Sequence, residues 1–533
     1  MFFPGFVKLS VFLSNFRFRA LILLHDERFS LLFSLYKGIA GFLRNDCAQI
    51  LYQVGLMLQL PWPRAYLWRS SKLAEKLHRL IESDTYTKSK ADRYFFAAAE
   101  DLEYLKTVAE YSEKAARLLA DIALVTGRMG LWLSSVLVEY DHQEHRAQRA
   151  GGAALGFRVL EPSFSILVTV GNTMHLDGYL KAAILGLRTP TRTVLLLHPW
   201  LKRFVVNPCL LDYWRPFIDV IEDESELEAS KSFIDSLAFN LHGATPCGGQ
   251  VVPFSISSVV LTQRQWVREC REPLLQLTSD HRKRGFEEIQ KWGIPPSTWF
   301  VTLHVRGGLN KGAEAYRDSY IESYLESCKT ITAAGGWVIR MGDASMEALP
   351  PMENTIDYAH HSGKSDWMDV FLCAAAKFMI GTSSGLTCVS YSFGVPIAMT
   401  NCLPTATIYL SSQDLFLPRL MRQRADGTPL QFSQLMGLPY SMGISDGMYK
   451  NIFGVETIAN TSDEINDLVK EMLDNLNGTV SYSVEDQVLQ QRFKTITANR
   501  ETLVGLGGME LPSRIGRHFL NKHKLLLDEY LAS

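Results

Sequence analysis

The chain has 533 residues, enough for two to four domains of roughly 100–200 residues each. Hydrophobic residues make up 47% and charged residues 21%, and 54 Lys and Arg residues face 56 Asp and Glu residues. This near-neutral, ordinary globular balance gives no support for wholesale nucleic-acid binding. The eight cysteines form no CxxC pair, which disfavours zinc ribbons and thioredoxin-like redox chemistry and fits a reducing compartment.

The first 38 residues are apolar and aromatic, but Lys8, Arg17, Arg19 and Arg28 interrupt them. No run reaches the ~18 uninterrupted apolar residues that a transmembrane helix needs. The order of a signal peptide, basic then apolar then small, is absent as well. Two interpretations stay open: a helix packed on the rest of the protein, and an amphipathic helix lying on a membrane surface.

Residues 1–150 are predicted to form an α-helical region. The stretch "SKADRYFFAAAEDLEYLKTVAEYSEKAARLLADIALVTGRMG" has apolar residues at helical spacing and almost no Pro or Gly before Gly127. We expect two or three helices there, and no fixed period indicates a repeat array. The glycines at 151, 152 and 156 mark a break in the pattern.

After this break, strand and helix patterns alternate. "FSILVTVG" (164–171) and "RTVLLLHP" (192–199) are predicted strands, and "MHLDGYLKAAILGL" is a predicted helix between them. "PCLLDYWRPFIDVI" is predicted as a helix running towards a third strand, and 225–295 is less regular. Such alternation predicts βαβ units with a parallel sheet.

The alternation resumes after Pro296. Predicted strands are "STWFVTLHV", "WVIRMGD", "KFMIG" and "VPIAMTN", and predicted helices include "SDWMDVFLCAAA", with Ser365 as N-cap, and "LTCVSYSFG". Segments 462–476 and 511–531 are predicted closing helices. The domains expected are therefore a helical region (1–150), an α/β domain with a linker (151–290) and a second α/β domain (291–533).

Ligands of open α/β sheets bind outside the carboxyl ends of the strands. His304 and Arg306 follow one predicted strand, Arg340 ends another, and "GTSSG" (381–385) follows a third. Arg306 could pair bidentately with a phosphate, or form a surface ion pair. A helix that begins after small hydroxyl residues and glycines offers backbone N–H groups to an anion.

"GTSSG" keeps several alternatives open. It could be a tight turn with a Ser N-cap, or a G-x-S-x-G nucleophile elbow with Ser383 at its centre. It lacks the GK[ST] of a Walker A loop and the GxGxxG fingerprint of dinucleotide-binding proteins. No DxD motif or other metal signature occurs, so no metal site is predicted.

Together these motifs resemble a GT-B glycosyltransferase, in which two α/β domains face each other across a cleft. "HVRGGLNKGAEAY" followed by "DWMDVFLCAAAKFMIGTSSGLTCVSYSFG" resembles the superfamily of α1,6- and protein O-fucosyltransferases, whose pattern is HVRR-(T/D) after a strand. "WVIRMGD" and "FGVPIAMTN" resemble pieces of bacterial glycosyltransferases of surface-polysaccharide assembly. The resemblance covers 297–402, with weaker support over 160–222.

The resemblance implies a role for each matching position. Donor-binding residues would be His304, Arg306, Arg340, Asp369, Thr382, Ser383, Ser384 and Gly385. Arg306 would contact the donor diphosphate, Ser383 to Gly385 would cradle its phosphates, and Asp369 and His304 would lie near the base or ribose. Glu314 falls at the catalytic carboxylate of the α1,6-type enzymes. Gly307 replaces the second arginine of the family, so donors other than a GDP-sugar stay open.

The mechanism implied is inverting, metal-independent transfer from a nucleotide-sugar, with no other cofactor. A base removes the acceptor proton, and arginine with backbone N–H groups stabilises the departing diphosphate. Candidate bases are Glu314, Asp318, His175 and Asp177, and a plain structural role for His175 is an equal alternative. Arg306 is counted among the catalytic residues.

The partners expected are a nucleotide-sugar and a glycan or lipid-linked acceptor of surface polysaccharide, with no nucleic acid. The location expected is cytoplasmic, with peripheral contact at the inner membrane and a homo-oligomer as further hypotheses. Three other functions stay open: a nucleotide-sugar epimerase or hydrolase of the same fold, an α/β-hydrolase using Ser383, and a non-catalytic membrane-associated scaffold.

Overall fold

The computed structural model describes residues 63–108, 111–152, 156–161, 169–252, 255–307, 315–405, 411–499 and 511–527. The apolar N-terminal stretch therefore lies outside the described residues, and its two interpretations stay predictions. Of the described residues, 63–124 and 130–142 form one compact unit, and 125–129 and 143–527 form a second. The domain boundaries at 150 and 290 stay predictions.

The described part of the N-terminal region is helical, as expected. Its helices are α1 (Pro63–Ile81), α2 (Lys88–Lys106), α3 (Ser112–Val125) and α4 (Met129–Arg149). The buried residues of α2 recur every three or four positions, so they form one apolar stripe. They are Ala91, Phe95, Ala98, Asp101, Leu102 and Leu105. Helix α1 packs on α2, where Arg69 pairs with the buried Asp101 at 3.2 Å.

The second unit contains all the described strands. They are β1 (Phe157–Leu160), β2 (Arg192–Leu196), β3 (Asp219–Ile221), β4 (Ala238–Phe239), β5 (Thr245–Cys247), β6 (Gln250–Val252), β7 (Phe300–His304), β8 (Trp337–Arg340), β9 (Thr355–Asp357), β10 (Met379–Gly381), β11 (Ile397–Cys402), β12 (Leu415–Pro418), β13 (Leu420–Gln423), β14 (Val455–Ile458) and β15 (Arg514–Ile515).

The helices of the second unit after α4 cover both α/β halves. They are α5 (Thr173–Ile184), α6 (Pro199–Lys202), α7 (Pro208–Trp214), α8 (Glu224–Leu237), α9 (Ser255–Arg268), α10 (Ser279–Lys291), α11 (Leu325–Ala333), α12 (Asp366–Ala375), α13 (Gly385–Ser392), α14 (Phe432–Leu435), α15 (Ser462–Asn477), α16 (Val484–Asn499) and α17 (Arg517–Lys522).

The smaller sheet is wholly parallel, in the order β3-β2-β1-β4. Its first described strand, Phe157–Leu160, begins seven residues before the predicted strand 164–171. Of that predicted strand, 162–168 lie outside the described residues, and Val170–Asn172 forms a 3₁₀ turn leading into α5. Sequence 225–295, expected to be irregular, contains three helices and three short strands.

The larger sheet has seven parallel strands in the order β15-β12-β11-β10-β7-β8-β9. Chain order therefore reverses between β7 and β10, the arrangement of a doubly wound Rossmann-like sheet. Strand β7 is buried along its whole length, as a central parallel strand between two helical layers should be. The predicted α/β class with two parallel sheets and a helical N-terminal region is confirmed.

The predicted closing helix at 462–476 is α15, which has both halves of a capping box, from Thr461 and Glu464. It ends at Gly478, whose φ of 72° suits glycine. In the described part of the predicted helix 511–531, which is 511–527, a short strand, β15, is followed by the six-residue α17. None of the described helices is long and apolar enough to cross a membrane.

Candidate functional site

The reversal point of the large sheet brings two of the predicted motifs together. His304 ends β7, Gly381 ends β10, and these two residues are register partners on neighbouring strands. The segments that follow these two strands, one with Arg306 and the other with the 381–385 loop, therefore leave the sheet side by side. This crevice at the carboxyl ends is where doubly wound sheets bind their ligands.

The 381–385 loop is shaped by close packing against α13. A Cβ at Gly381 would lie 2.5 Å from Thr387 Oγ1, so a larger residue would displace this turn. Thr387 Oγ1 donates to the carbonyl of Thr382 at 2.9 Å, which ties the loop to the first turn of the helix. Ser384 is the N-cap residue, yet its hydroxyl makes no capping bond to the helix N–H groups.

Ser384 is instead hydrogen-bonded to His304, with 2.9 Å between Oγ and Nδ1. The imidazole is buried, with 5% of the residue exposed. Burial, together with the neighbouring guanidiniums of Arg340 and Arg306, lowers the pKa of His304 to about 4. His304 is therefore neutral at pH 7, and it links the ends of β7 and β10 as an uncharged hydrogen-bonding group.

Arg306 contacts both the 381–385 loop and a returning segment of its own connection. Its backbone N–H donates to Thr382 Oγ1 at 3.3 Å. Its side chain donates from Nη1 to Asp318 Oδ1 at 2.9 Å, and both side chains keep about a quarter of their surface exposed, 26% and 28%. A partly solvated guanidinium on a residue that contacts the loop before a helix is a suitable anion contact.

Two further arginines were not predicted. Arg317 donates from Nη1 to the carbonyl of Ser383 at 3.4 Å. Arg419, directly after β12, donates to the carbonyl of Asp318, and to Ser319 Oγ at 3.5 Å. Arg317 follows Arg306 by eleven residues, but this spacing gives no sign that it turns back onto the 381–385 loop. For Arg419 no local sequence signal exists.

Two more of the predicted donor-binding residues, Arg340 and Asp369, form ion pairs with other residues of the chain. Arg340, 1% exposed, pairs with Asp357 at 3.0 Å and donates to the carbonyl of Glu347 at 2.7 Å. The charge of Arg340 therefore serves to join the ends of β8 and β9. Asp369, in the first turn of α12, pairs with Lys364 at 2.9 Å. Burial raises the pKa of Asp369, whereas this ammonium opposes the rise.

Ser383 is buried and points away from the imidazole. Its hydroxyl donates to Cys402 Sγ at 3.9 Å and accepts from the backbone N–H of Leu403 at 3.2 Å. It thereby joins the loop to the end of β11. Its partners are those of a structural hydroxyl, since a serine nucleophile needs a base within hydrogen-bonding reach.

The smaller sheet approaches the same loop through the turn before α5. A Cβ at Gly385 would lie 2.7 Å from Val170 Cγ2 and 3.0 Å from Gly171 N. A Cβ at Gly171 would in turn lie 3.3 Å from Gly385 Cα. Glycine at both positions lets the two halves meet backbone to backbone at the start of α13.

The base candidates on α5 are buried. The rings of His175 and His242 lie in tilted contact, with 4.3 Å between their centroids. Burial, and to a smaller degree the charge of His242, lower the pKa of His175 well below the ordinary value. Asp177 pairs with Lys181 at 2.6 Å, and Lys181 also donates to Gln263 at 3.0 Å. Burial raises the pKa of Asp177 despite this ammonium.

The loop after β7 carries two further candidate bases, Glu314 and Asp318. Glu314 lies outside the described residues, so its placement stays a prediction. Asp318 lies at the crevice and is paired with Arg306. The structure therefore brings together His304, Arg306, Asp318 and the 381–385 loop. It places His175, Arg340 and Asp369 around them with protein partners of their own.

Neither a protein-family model nor a curated protein matches this chain. Among solved structures, it is similar to a glycosyl transferase of family 9 from Veillonella parvula, at 13% identity and a TM-score of 0.33, covering 60% of this chain and 96% of that one. It is also similar to the ADP-heptose LPS heptosyltransferase II of E. coli, at 12% identity and a TM-score of 0.27, covering 46% and 83%. Similarity at this level leaves the function to be inferred from the chain's own residues.

Proposed function

We propose that this chain is a glycosyltransferase that moves a sugar from a nucleotide-sugar to an acceptor hydroxyl. The observation that carries the proposal is the pairing of His304 with Gly381 at the reversal point of the large sheet. This register brings Arg306, whose guanidinium is partly exposed, to the loop that leads into the N-terminus of α13. A diphosphate leaving group needs such a combination of fixed positive charge and backbone N–H donors.

The transfer proposed is inverting. The acceptor oxygen attacks the anomeric carbon while a carboxylate takes its proton, and the bond to the diphosphate oxygen breaks. Arg306 and the N–H groups at the start of α13 hold the charge that grows on that oxygen. Among the described candidates Asp318 suits the base best, since it is partly exposed at the crevice, whereas His175 and Asp177 are buried.

The donor and acceptor follow from the sequence resemblance alone. The donor proposed is a nucleotide-sugar, with GDP-sugars among the candidates. The acceptor proposed is a glycan or lipid-linked glycan of bacterial surface polysaccharide, at the cytoplasmic face of the membrane. Asp369 and Lys364, at the carboxyl edge near β9, are proposed to lie at the base or ribose.

A serine hydrolase is less well supported by the same geometry. His304 bonds to Ser384 rather than to Ser383. A pKa of about 4 makes this imidazole a poor base at neutral pH, because a general base works best with a pKa near the operating pH. A serine-directed phosphonate should therefore leave the protein unlabelled.

The test is nucleotide binding by the wild type, Arg306→Ala and a matched control, Arg422→Ala. Arg422 is exposed on β13 in a surface pair with Glu456, so its loss should change little. GDP, UDP and ADP are each added during thermal unfolding. A nucleotide at about 100 times its dissociation constant adds ~2.7 kcal/mol to stability. The wild type and Arg422→Ala should be stabilised, and Arg306→Ala should not.

If no nucleoside diphosphate stabilises the wild type, the proposal fails. If one does, the corresponding nucleotide-sugars are incubated with and without glycan acceptors, and the products are analysed. A new glycosidic bond supports transfer. Release of free sugar or a changed sugar without acceptor would instead identify a hydrolase or an epimerase of the same fold.

A further inference from the structure

The residues just after the undescribed part of the β7–α11 connection return to the crevice. Ala315–Arg317 forms a 3₁₀ turn, and the segment 315–320 runs back past Arg306. The N–H of Ser319 donates to the carbonyl of Arg306 at 2.7 Å. From the other side, Arg419 donates to the carbonyl of Asp318. The 315–320 segment is therefore fixed at two adjacent residues, by one contact from the end of β7 and one from the end of β12.

This segment occupies the space next to Arg306. A Cβ at Gly307 would lie 2.9 Å from the carbonyl oxygen of Ser319, closer than Cβ atoms approach a backbone atom. Position 307 therefore cannot carry a side chain while the segment stays in place. Any second cation at this part of the crevice has to come from elsewhere in the chain.

Arg317 is a cation that reaches this part of the crevice from elsewhere in the chain. Its guanidinium reaches the 381–385 loop at Ser383, whereas the backbone of Arg306 reaches the loop at the preceding residue, Thr382. The two arginines thus contact adjacent loop residues just before the N-terminus of α13. Arg317 is only partly buried, in contrast to Arg419, which is 7% exposed and anchors the segment.

We propose that Arg317 is a second anion-binding residue, whose guanidinium contacts the phosphates of the nucleotide donor together with Arg306. This inference rests on the proposed function. The bond from Arg317 to the carbonyl of Ser383 is long, at 3.4 Å, and links a charged donor to a neutral acceptor. Charge-assisted bonds from arginine to phosphate are shorter and about twice as strong, so a phosphate oxygen would replace that carbonyl.

Two guanidiniums also suit the ligand's charge. A nucleoside diphosphate carries more than one negative charge, and Arg306 alone already shares its charge with Asp318. Arginine at position 317 can bind two phosphate oxygens with its planar fork, which lysine cannot do. The second cation of the crevice is therefore Arg317, eleven positions after Arg306. The same 315–320 segment that excludes a side chain at position 307 places Arg317 there.

The test compares ligands that differ only in phosphate number. Guanosine, GMP and GDP, with the uridine and adenosine series, are titrated calorimetrically into the wild type, Arg317→Ala, Arg317→Lys, Arg306→Ala and the exposed control Arg422→Ala. For the base that the wild type binds, Arg317→Ala should weaken the diphosphate about 10- to 100-fold and leave the nucleoside unchanged. Arg317→Lys should recover part of the loss.

The outcomes separate this inference from the proposed function. If Arg306→Ala weakens the diphosphate and Arg317→Ala does not, Arg317 is not a phosphate ligand and the function still stands. If Arg317→Ala weakens nucleoside and diphosphate equally, its role is structural and the inference is overturned. If the wild type binds no nucleoside diphosphate, the proposed function fails and this inference fails with it.

Discussion

The guanidinium of Arg306 donates from Nη1 to Asp318 Oδ1 at 2.9 Å, so the proposed phosphate ligand is already paired with a carboxylate of its own chain. Twelve residues separate the two, and the turn of the 315–320 segment brings them together. A diphosphate that takes Arg306 must compete with this carboxylate. Its displacement would separate the Asp318 carboxylate from the Arg306 guanidinium at the crevice.

Asp318→Asn should therefore tighten the binding of a nucleoside diphosphate. Both side chains are about a quarter exposed, and partly solvated ion pairs contribute on the order of 1 kcal/mol or less. Removing the competing charge should lower the dissociation constant about 2- to 5-fold in calorimetric titrations. Asp467→Asn, which alters a surface pair with Lys470, is the matched control. Unchanged or weaker binding in Asp318→Asn would show that the carboxylate does not compete.

The same variant should lose catalysis if Asp318 takes the acceptor proton. General bases contribute typically 10²- to 10⁴-fold, so kcat for sugar transfer should fall by that order while donor affinity rises. Opposite changes in the two quantities would not arise from a merely damaged fold. A kcat near that of the wild type would show that a residue other than Asp318 is the general base.

The strands and motifs that form the site could be predicted from the sequence, but not all of the contacts between them. Apolar runs that end in Gly or a polar residue located β7 and β10 to within three residues, because buried parallel strands leave that pattern. Which strand ends are neighbours depends on the sheet order, which was not predicted; the resemblance implied only that both motifs contact the donor. Arg317 and Arg419 were missed because their partners, Ser383 and Asp318, lie 66 and 101 residues away.

Arg340 illustrates a second limit. It ends a strand, which made it a candidate donor ligand, but strand side chains alternate between the two faces. Val338, Ile339 and Arg340 are all buried, so the apolar pattern of β8 carries no alternation from which to read the direction. Only the partner Asp357 on the neighbouring strand shows that the side chain is used within the sheet.

His304 should make the protein less stable in mild acid. Its folded pKa of about 4 lies below the ordinary value of 6.5, so between these values the unfolded chain binds the proton and the folded chain does not. The free energy of unfolding should therefore fall as pH drops from 6.5 towards 4, by on the order of 3 kcal/mol from this residue. Urea unfolding across this range measures it.

His304→Asn removes the titrating group and can keep a bond to Ser384. Its stability should depend less on pH between 6.5 and 4 than that of the wild type, and the exposed His518→Asn serves as the control variant. His242, whose pKa is also lowered to about 4 by burial, contributes a similar slope that stays in both proteins. Parallel curves for wild type and His304→Asn would mean that His304 does not stay neutral on folding.

Glu464 should make the stability of the protein depend on pH below 4.5, a more acidic range than that of His304. It accepts bonds from Lys522 at 2.7 Å, His523 at 2.8 Å and the N–H of Thr461 at 2.9 Å. Burial alone would raise its pKa, but hydrogen bonds from His523 and Lys522 outweigh burial and lower it to about 2. Since the folded pKa lies below the ordinary 4.5, this stabilisation is present above pH 4.5 and is lost as pH falls towards 2.

Glu464→Gln should cost about 1–3 kcal/mol of unfolding free energy at pH 7, because it removes the charged acceptor of buried hydrogen bonds. The difference from the wild type should shrink as pH falls below 4.5. Glu485→Gln, whose pair with Lys524 is exposed, should cost much less and is the control. A penalty for Glu464→Gln that stays constant down to pH 2 would point to lost packing rather than lost charge.

The close approach of Gly171 and Gly385 predicts a graded effect of small substitutions on transfer. A methyl at Gly385 would meet Val170 Cγ2 at 2.7 Å and Gly171 N at 3.0 Å, whereas one at Gly171 would meet Gly385 Cα at 3.3 Å. Gly385→Ala must therefore shift the start of α13 or the turn before α5. A displacement of about 1 Å near reacting groups can cost as much as 10²-fold.

Gly385→Ala should lower kcat/KM for sugar transfer about 10- to 100-fold, and Gly171→Ala should lower it less, because its methyl meets its neighbour at a longer distance. Gly130→Ala, whose methyl would meet nothing within 4 Å, is the control and should leave the kinetics unchanged. Steady-state rates at saturating acceptor measure the series. Equal rates in all three variants would mean that turnover does not depend on how closely the two halves meet at α13.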